Sequence, residues 1–398
     1  MKSRSLPPVV LLGGLPIVRA LGMADIPVLV ATPDPRSHTA ASRYCSGVIE
    51  LPPLAQRENV VEVLVKAGRQ ILAQYGAKAP LFYDNDDRLK LVQDFRAELE
   101  PCFALLLNEP QLDAALLDKS LFQALGEERG LPVPKRIEWD ALAAQRGPVL
   151  VKPKMKTAWD DSNVHNRLFG GAGKARIFEN GGEARRDPLV RTLAAQLTFQ
   201  EYIPGDDDAI WSFHGFAAPG GEVLASFVGR KIRTYPAGTG DSSYLRLVHD
   251  EEVERLGRSI AMRLPLAGVF KMDFKKFDSR FYLFEINTRF NLWNYLGAAN
   301  GVNLPEAAFR FLTNQSVKNQ KAATKQRWLA LRYDWQAFRE LSALGKLTFT
   351  EWLWSLLQAP KVYELWAWRD PLPFVRHWSA RLRQAAARRM NRWLATAS

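Results

Sequence analysis

The chain has 398 residues, 47% hydrophobic and 24% charged, which supports two or three folded domains and excludes wholesale disorder. Two cysteines, Cys45 and Cys102, are too few for a disulfide framework or a cysteine-based zinc cluster and fit a reducing cytoplasm, and no uncharged apolar run of about 20 residues signals an integral membrane protein. Lys and Arg number 54 against 42 Asp and Glu, a net charge of +12 whose location along the chain becomes the question.

Lys2 and Arg4 followed by apolar residues superficially resemble a secretory leader, but Pro7, Pro8, Gly13, Gly14 and Pro16 interrupt the run and Arg19 closes it. The segment reads better as strand, glycine turn, short helix and second strand. Val9–Leu12 and the apolar runs at 28–31, 48–51, 81–83 and 103–106 alternate with helical patterns at 16–23, 57–74 and 86–98. That alternation predicts a small parallel sheet with helices on both faces. Gly13-Gly14-Leu15-Pro16 is not the G-x-G-x-x-G fingerprint, so a nicotinamide cofactor gains little support.

A helix over 118–129 is expected to stop at Gly130, with Pro132-Val133-Pro134 as a stiff exit. Strands follow at 149–152 and near 175–178, flanking a polar loop at 160–173. Further strands are expected at 196–203, 210–217, 222–230, 268–277 and 280–287, with a helix at 250–263. Gly220-Gly221 and Asp278-Ser279-Arg280 read as hairpin turns, so the middle of the chain is rich in antiparallel sheet. A helix over 304–315 and a polar linker over 314–326 lead to the C-terminal part.

The strongest chemical pattern is the hairpin from Lys271-Met272-Asp273 to Glu285-Ile286-Asn287-Thr288-Arg289. Side chains repeat every second residue along a strand, so Glu285, Asn287 and Arg289 share a face. Pairing through the 278–280 turn brings Asp273 roughly opposite Glu285, with Lys271 on the same face. Two carboxylates, an amide oxygen and flanking cations suit Mg2+, which binds hard oxygens and bridges to substrate phosphates. A solvated strand face is the alternative, against which the interleaved Val269, Phe270, Phe274, Phe284 and Ile286 argue for a buried sheet. The five histidines, His38, His165, His214, His249 and His377, are dispersed, and no G-x-S-x-G occurs. Zinc hydrolase and serine hydrolase chemistry are therefore disfavoured, and His214 reads as a core or wall residue.

The Asp273 … Glu285-Ile286-Asn287-Thr288-Arg289 pattern resembles the metal-binding strands of the ATP-grasp superfamily. Other marks fall in that family's order. Asp118-Lys119 resembles the first ATP lysine, and Lys152 in Val149-Leu150-Val151-Lys152-Pro153 the second. Gln200-Glu201-Tyr202-Ile203-Pro204-Gly205 resembles the hinge that holds adenine, through its backbone and through Tyr202 and Ile203. Asp208 is then the ribose candidate, with Asp206 and Asp207 as alternatives. Gly229-Arg230-Lys231-Ile232-Arg233 resembles the basic strand facing the phosphates. Gly13-Gly14 and Ser42-Arg43-Tyr44 resemble the preceding domain of carboxylate–amine ligases. Gly170-Gly171-Ala172-Gly173 is a candidate phosphate loop, farther from Lys152 than the family pattern expects; a turn between strands is its other reading.

The resemblance implies an α/β architecture: a small parallel α/β domain over 1–112, a two-lobed ATP-grasp fold with antiparallel sheets over 113–195 and 196–320, and a helical extension over 321–398. It implies ATP with Mg2+ (or Mn2+) on Asp273, Glu285 and Asn287. Lys271, Arg289 and Arg233 would hold the transferred phosphate or the acyl carboxylate, Arg289 as the favoured bidentate clamp. The implied reaction joins a carboxylate and an amine as an amide through an acyl phosphate, on amino-acid, peptide or lipid-linked small molecules. A non-catalytic ATP-binding protein attached to a membrane or assembly complex is the other class.

Residues 326–398 hold 12 Lys and Arg against 5 Asp and Glu, a net of +7, which leaves +5 for the rest. Eight of the twelve tryptophans fall there as well. Val375, Trp378, Leu382, Ala386, Met390 and Trp393 share one helical face, with Arg376 and Arg383 on one border and Arg381, Arg388 and Arg392 on the other. An interfacial helix on an anionic membrane through 374–394 fits this pattern, placing the protein in the cytoplasm, peripheral to the inner face. The competing reading is a helix packed on the body or at a homodimer seam; RNA binding ranks third.

Overall fold

The computed structural model describes residues 6–154, 175–237 and 240–397. Val9–Leu12 (β1), Val28–Thr32 (β2), Cys45–Glu50 (β3), Ala79–Tyr83 (β4) and Phe103–Ala104 (β5) form one parallel sheet in the order β3-β2-β1-β4-β5. β1 and β4 are buried at every residue, as strands covered on both faces require. Alternation divides the two cores. Val9 and Leu11 pack with the helix Leu15–Gly22 and residues of the larger lobe, whereas Val10 and Leu12 pack with the helix Arg57–Tyr75.

Arg136–Ile137 (β6), Val149–Pro153 (β7), Arg176–Phe178 (β8) and Leu197–Glu201 (β9) form an antiparallel sheet in the order β6-β9-β7-β8. β9 sits between β6 and β7, so this sheet runs past the boundary expected at 195. The short helices Gly181–Arg186 and Pro188–Leu193 cover it through Ala184, Val190 and Leu193.

Ile210–Ala217 (β10), Val223–Tyr235 (β11), Asp241–Val248 (β12), Gly268–Phe277 (β13), Arg280–Asn287 (β14), Arg327–Leu329 (β15) and Lys361–Tyr363 (β16) build the third sheet, ordered β14-β13-β10-β11-β12-β15-β16. β12 has no counterpart among the predicted strands because its Asp241-Ser242-Ser243 start reads as loop. One face of the sheet carries Phe213, Phe270, Met272 and Phe274 against the helix Glu251–Arg263. Near the middle of the other face Gly229 permits a close approach: the Trp293 ring lies 2.0 Å from where a Cβ would stand. Trp293 and Phe227 sandwich the fully buried His214 at centroid distances of 4.9 and 4.6 Å, the wall position expected of it.

The C-terminal extension is mostly helical, with Leu331–Ala343, Phe349–Leu357 and Leu372–Ala397, but its β15 and β16 are built into the third sheet. Two buried ion pairs fasten it. Asp334 accepts from Arg233 Nε at 2.8 Å and Nη2 at 2.9 Å, and from Trp352 Nε1 at 2.8 Å. Asp370 accepts from Arg19 Nε at 3.0 Å, Ser42 Oγ at 2.8 Å and the Arg43 amide at 2.8 Å. Arg19 and Asp370 are buried, so removing one partner strands the other charge at a cost of roughly 3–5 kcal/mol. Asp370→Ala is therefore expected to lower stability by about that amount in a urea titration, while Asp94→Ala at the solvent-exposed Arg57–Asp94 pair shifts it by no more than about 1 kcal/mol.

Candidate functional site

The register of the third sheet aligns one polar row across four strands. Asp273 pairs with Glu285 on one side and with Ser212 on the other, and Ser212 with Gly229; one step along, Lys271 pairs with Asn287 and His214. Lys271, Asp273, Glu285 and Asn287 thus stand together, as alternation and the hairpin predict. Ser212 joins them without having been expected: its buried hydroxyl donates to Asp273 Oδ1. The signal was Ser212 lying two residues from His214 on a strand predicted over 210–217.

Asp273 is the hub. Its Oδ2 lies 2.7 Å from Lys271 Nζ and 3.7 Å from Lys231 Nζ. Burial opposes its ionisation, but the Lys271 and Lys231 ammoniums and the Ser212 hydroxyl hold the carboxyl well below the usual carboxylate range. Burial likewise works against the Lys271 ammonium, which Asp273 and Glu285 nonetheless hold above its ordinary value. Glu285 Oε1 lies 3.7 Å from Lys271 Nζ and accepts from Asn287 Nδ2 at 2.9 Å. Its half-exposed carboxyl also stays below its ordinary value, held there against desolvation mainly by Lys271 and, more weakly, by Lys119. Arg289 continues the row: its Nη2 donates to Asn287 Oδ1 at 3.1 Å, and its Nε to Asp86 of the parallel-sheet domain. Asp86 starts the helix that follows β4, and the neighbouring Asp84 accepts the Gly14 amide at 2.6 Å. Arg289 therefore meets the ends of β1 and β4, where sheet order reverses and open α/β sheets receive ligands.

The smaller sheet presents cations towards this row. Lys119 follows Asp118, the N-cap of the helix Lys119–Glu128, and its amide donates to Lys154 O at 3.2 Å. Lys152 lies on β7. Burial, reinforced by the neighbouring Lys119 charge and only partly offset by Glu285, pushes its ammonium down to about 7. Lys119, Lys152 and Glu285 thus feel one another electrostatically across the cleft.

Gln200 is buried on β9; the Glu201 carboxylate accepts the Lys135 amide at 2.8 Å, and the Tyr202 amide donates to Pro148 O at 3.0 Å. Ile203 is buried, and Lys275 stands over the Tyr202 ring at 5.2 Å. Lys275 continues the Lys271, Asp273 alternation, a signal the sequence reading left unused. Of the three consecutive acids, Asp207 is buried and accepts from the Thr234 amide and hydroxyl, both at 2.8 Å. Asp206 pairs with Lys346 at 2.9 Å, and the exposed Asp208 with Arg230 at 3.1 Å. Arg233 is not brought to the polar row: it is buried on Asp334, because β11 bulges after Lys231 and turns that side chain into the extension's anchor. The segment Gly170-Gly171-Ala172-Gly173 lies outside the described residues.

Among the described residues no three His, Cys, Asp or Glu side chains gather as a metal cage. Two ionised carboxylates and an amide oxygen in one row nonetheless fit Mg2+, which takes few protein ligands and completes its shell with waters and phosphate oxygens.

A parallel α/β domain followed by two lobes with separate, largely antiparallel sheets, and a cleft between them, give the chain an ATP-grasp fold. Residues 200–334 match the family model described as ATP-grasp in the biosynthetic pathway with Ter operon. The chain is 23% identical over 302 residues to a D-aspartate ligase of Enterococcus faecium (strain Aus0004), covering 71% of this chain and 69% of that one. Among solved structures, a biotin carboxylase–β,γ-ATP complex from Campylobacter jejuni superposes with a TM-score of 0.58 at 12% identity, covering 81% of this chain and 75% of that one. N5-carboxyaminoimidazole ribonucleotide synthetase from Thermotoga maritima gives 0.54 at 15% identity, covering 80% and 79%. The chain carries the ATP-grasp fold and resembles carboxylate–amine ligases of that superfamily.

The depressed Lys152 has a consequence for stability. Its ammonium is disfavoured in the fold, so between about 7 and its ordinary 10.5 the unfolded chain binds more protons. Stability then rises with pH across that window. Lys152→Met is expected to stabilise the ligand-free protein at neutral pH and to flatten the rise, as read from urea midpoints at neutral and alkaline pH.

Proposed function

We propose that the chain is an ATP-dependent ligase that joins a carboxylate to an amine as an amide through an acyl phosphate. The observation that carries the reading is the row Asp273, Glu285, Asn287 and Arg289, faced across the cleft by Lys119 and Lys152. In this reading residues 1–112 form the domain preceding the two ATP-grasp lobes, and the extension begins near 321.

Lys119 and Lys152 neutralise the triphosphate as point charges, and phosphate binding returns a full proton to Lys152. Backbone groups of Gln200, Glu201, Tyr202 and Ile203 read the adenine edge, with the Tyr202 and Ile203 side chains against its faces. Asp208, one of the two exposed acids of its trio, takes the ribose; Lys231 faces the phosphates. Asp273, Glu285 and Asn287 would hold Mg2+, with Mn2+ as a substitute, which would supply charge neutralisation during phosphoryl transfer. Arg289, fixed in orientation by Asp86 and Asn287, clamps the substrate carboxylate while Lys271 faces the transferred phosphoryl group. A carboxylate oxygen attacks the γ-phosphorus and ADP departs; the amine nitrogen then attacks the acyl carbon, the amide C–N bond forms and phosphate leaves. Positioning and electrostatics account for such a reaction, since the protein forms no covalent bond. The substrates are small: amino acids, peptides or lipid-linked groups carrying a carboxylate or an amine.

Glu285→Gln keeps the shape of the side chain and removes its charge. ADP release, followed with a panel of amino acids as carboxylate and amine donors, is expected to fall at least a hundredfold with an unaltered melting midpoint. Full turnover in this variant would sink the assignment.

A further inference from the structure

The helix Leu372–Ala397 packs by one side. Pro373 is buried, Phe374 meets Trp366 at a centroid distance of 5.3 Å, and His377 meets His38 of the parallel-sheet domain at 5.4 Å. The opposite side is apolar and open to solvent: Leu372, Val375, Trp378, Leu382 and Met390 are all exposed, Leu382 by 68%. The preceding loop adds Trp368, which is 87% exposed. A helix whose packed side is already satisfied, and which nonetheless shows water a stripe of large apolar residues, has a surface made for something else.

Charge selects the occupant. Residues 372–397 include six arginines, Arg376, Arg381, Arg383, Arg388, Arg389 and Arg392, and no Asp or Glu. We propose that this face docks on an anionic lipid surface, with Trp368, Val375, Trp378 and Leu382 entering the headgroup–acyl boundary and the arginines meeting lipid phosphates. An amphipathic helix with aromatic and aliphatic residues on one face and arginines beside them has that character. A second copy of the chain fits worse, because a symmetric seam brings arginine-rich helices together with no acid to answer them. Nucleic acid fits worse too, since four of the five exposed apolar side chains of the helix are aliphatic and offer no face for base stacking. No helix among the described residues is long and apolar enough to cross a membrane, so the contact lies in the plane of the interface. That the docked protein acts on lipid-linked or membrane-proximal substrates rests on the ligase reading; the docking itself does not.

The test uses the full chain without ATP or substrate, so that its failure leaves the ligase reading untouched. Sedimentation with phosphatidylglycerol–phosphatidylcholine vesicles is compared with phosphatidylcholine alone. Binding to the anionic vesicles, weakened by salt and accompanied by a blue shift of tryptophan emission, is expected. Trp378→Ser combined with Leu382→Glu, both exposed and outside the cleft, should lower the partition coefficient at least about tenfold, with the melting midpoint unchanged. Equal binding of this variant, or no binding of the parent chain to anionic vesicles, overturns the proposal. So does concentration-dependent dimerisation, or salt-sensitive RNA binding, that the same double substitution abolishes while vesicle binding stays absent.

Discussion

A single buried carboxylate, Asp273, sets the terms for the rest of the cleft. Removing a carboxylate from water is costly unless ammonium or hydroxyl donors replace the lost hydration. The donors come from three different strands: Ser212 from β10, Lys231 from β11 and Lys271 from β13 itself. Shifting any of these strands by one residue would turn its donor to the opposite face and leave the charge stranded. The apolar side enforces the same register, because Phe213, Phe270, Met272 and Phe274 must face the helix Glu251–Arg263 at the same time. Electrostatics on one face and packing on the other therefore specify one alignment, and that alignment brings Glu285 and Asn287 beside Asp273.

Two further carboxylates, Asp334 and Asp370, make the C-terminal extension part of the same machine. Arg233 lies two residues after Lys231, and Arg19 lies on the helix that begins just after Gly14. The extension thus grips β11 next to the polar row and the helix next to the glycine turn. One anchor lies on the strand that carries Lys231, the other on the helix that follows the glycine turn at Asp84. A segment whose composition suggests an appendage is in part a brace on the large lobe, while Phe349, Leu353, Trp354 and Leu357, like the far side of its last helix, face solvent.

The sequence disclosed what depends on strict alternation and on short hairpins. Lys271, Asp273, Glu285 and Asn287 were legible because alternation groups them on two strands joined by a short turn, although an irregularity between Asp273 and Phe274, and not the turn alone, sets Glu285 opposite Asp273. The parallel sheet was legible because its strands are continuous apolar runs. What stayed hidden depends on partners distant in the chain. Arg233 reads as one more cation of a basic strand, and nothing local announces that Asp334, about a hundred residues later, claims it. β15 and β16 are three residues each and become strands only because the edge of β12 stands ready to pair. β9 joins the smaller sheet instead of the larger because its hydrogen-bond partners, β6 and β7, lie upstream, a choice that hydrophobic pattern alone leaves open.

The lysines show how one residue type acquires opposite characters across a cleft. Lys271 has Asp273 and Glu285 within 4 Å and stays firmly protonated, whereas Lys152 has no salt bridge among the described residues and falls to about 7. The large-lobe acids are thus already paired internally, while on the small-lobe side Lys119 and Lys152 hold like charges close together. In the ligase reading an anion entering the cleft is drawn towards Lys119 and Lys152, whose mutual repulsion its phosphate oxygens would relieve. The carboxylates on the opposite wall would repel that anion were it not for Lys231 and Lys271, whose ammoniums lower the cost of bringing phosphate near Asp273. In the ligase reading, the cations of the cleft are therefore divided between attracting a polyphosphate and shielding it from the acids it would approach.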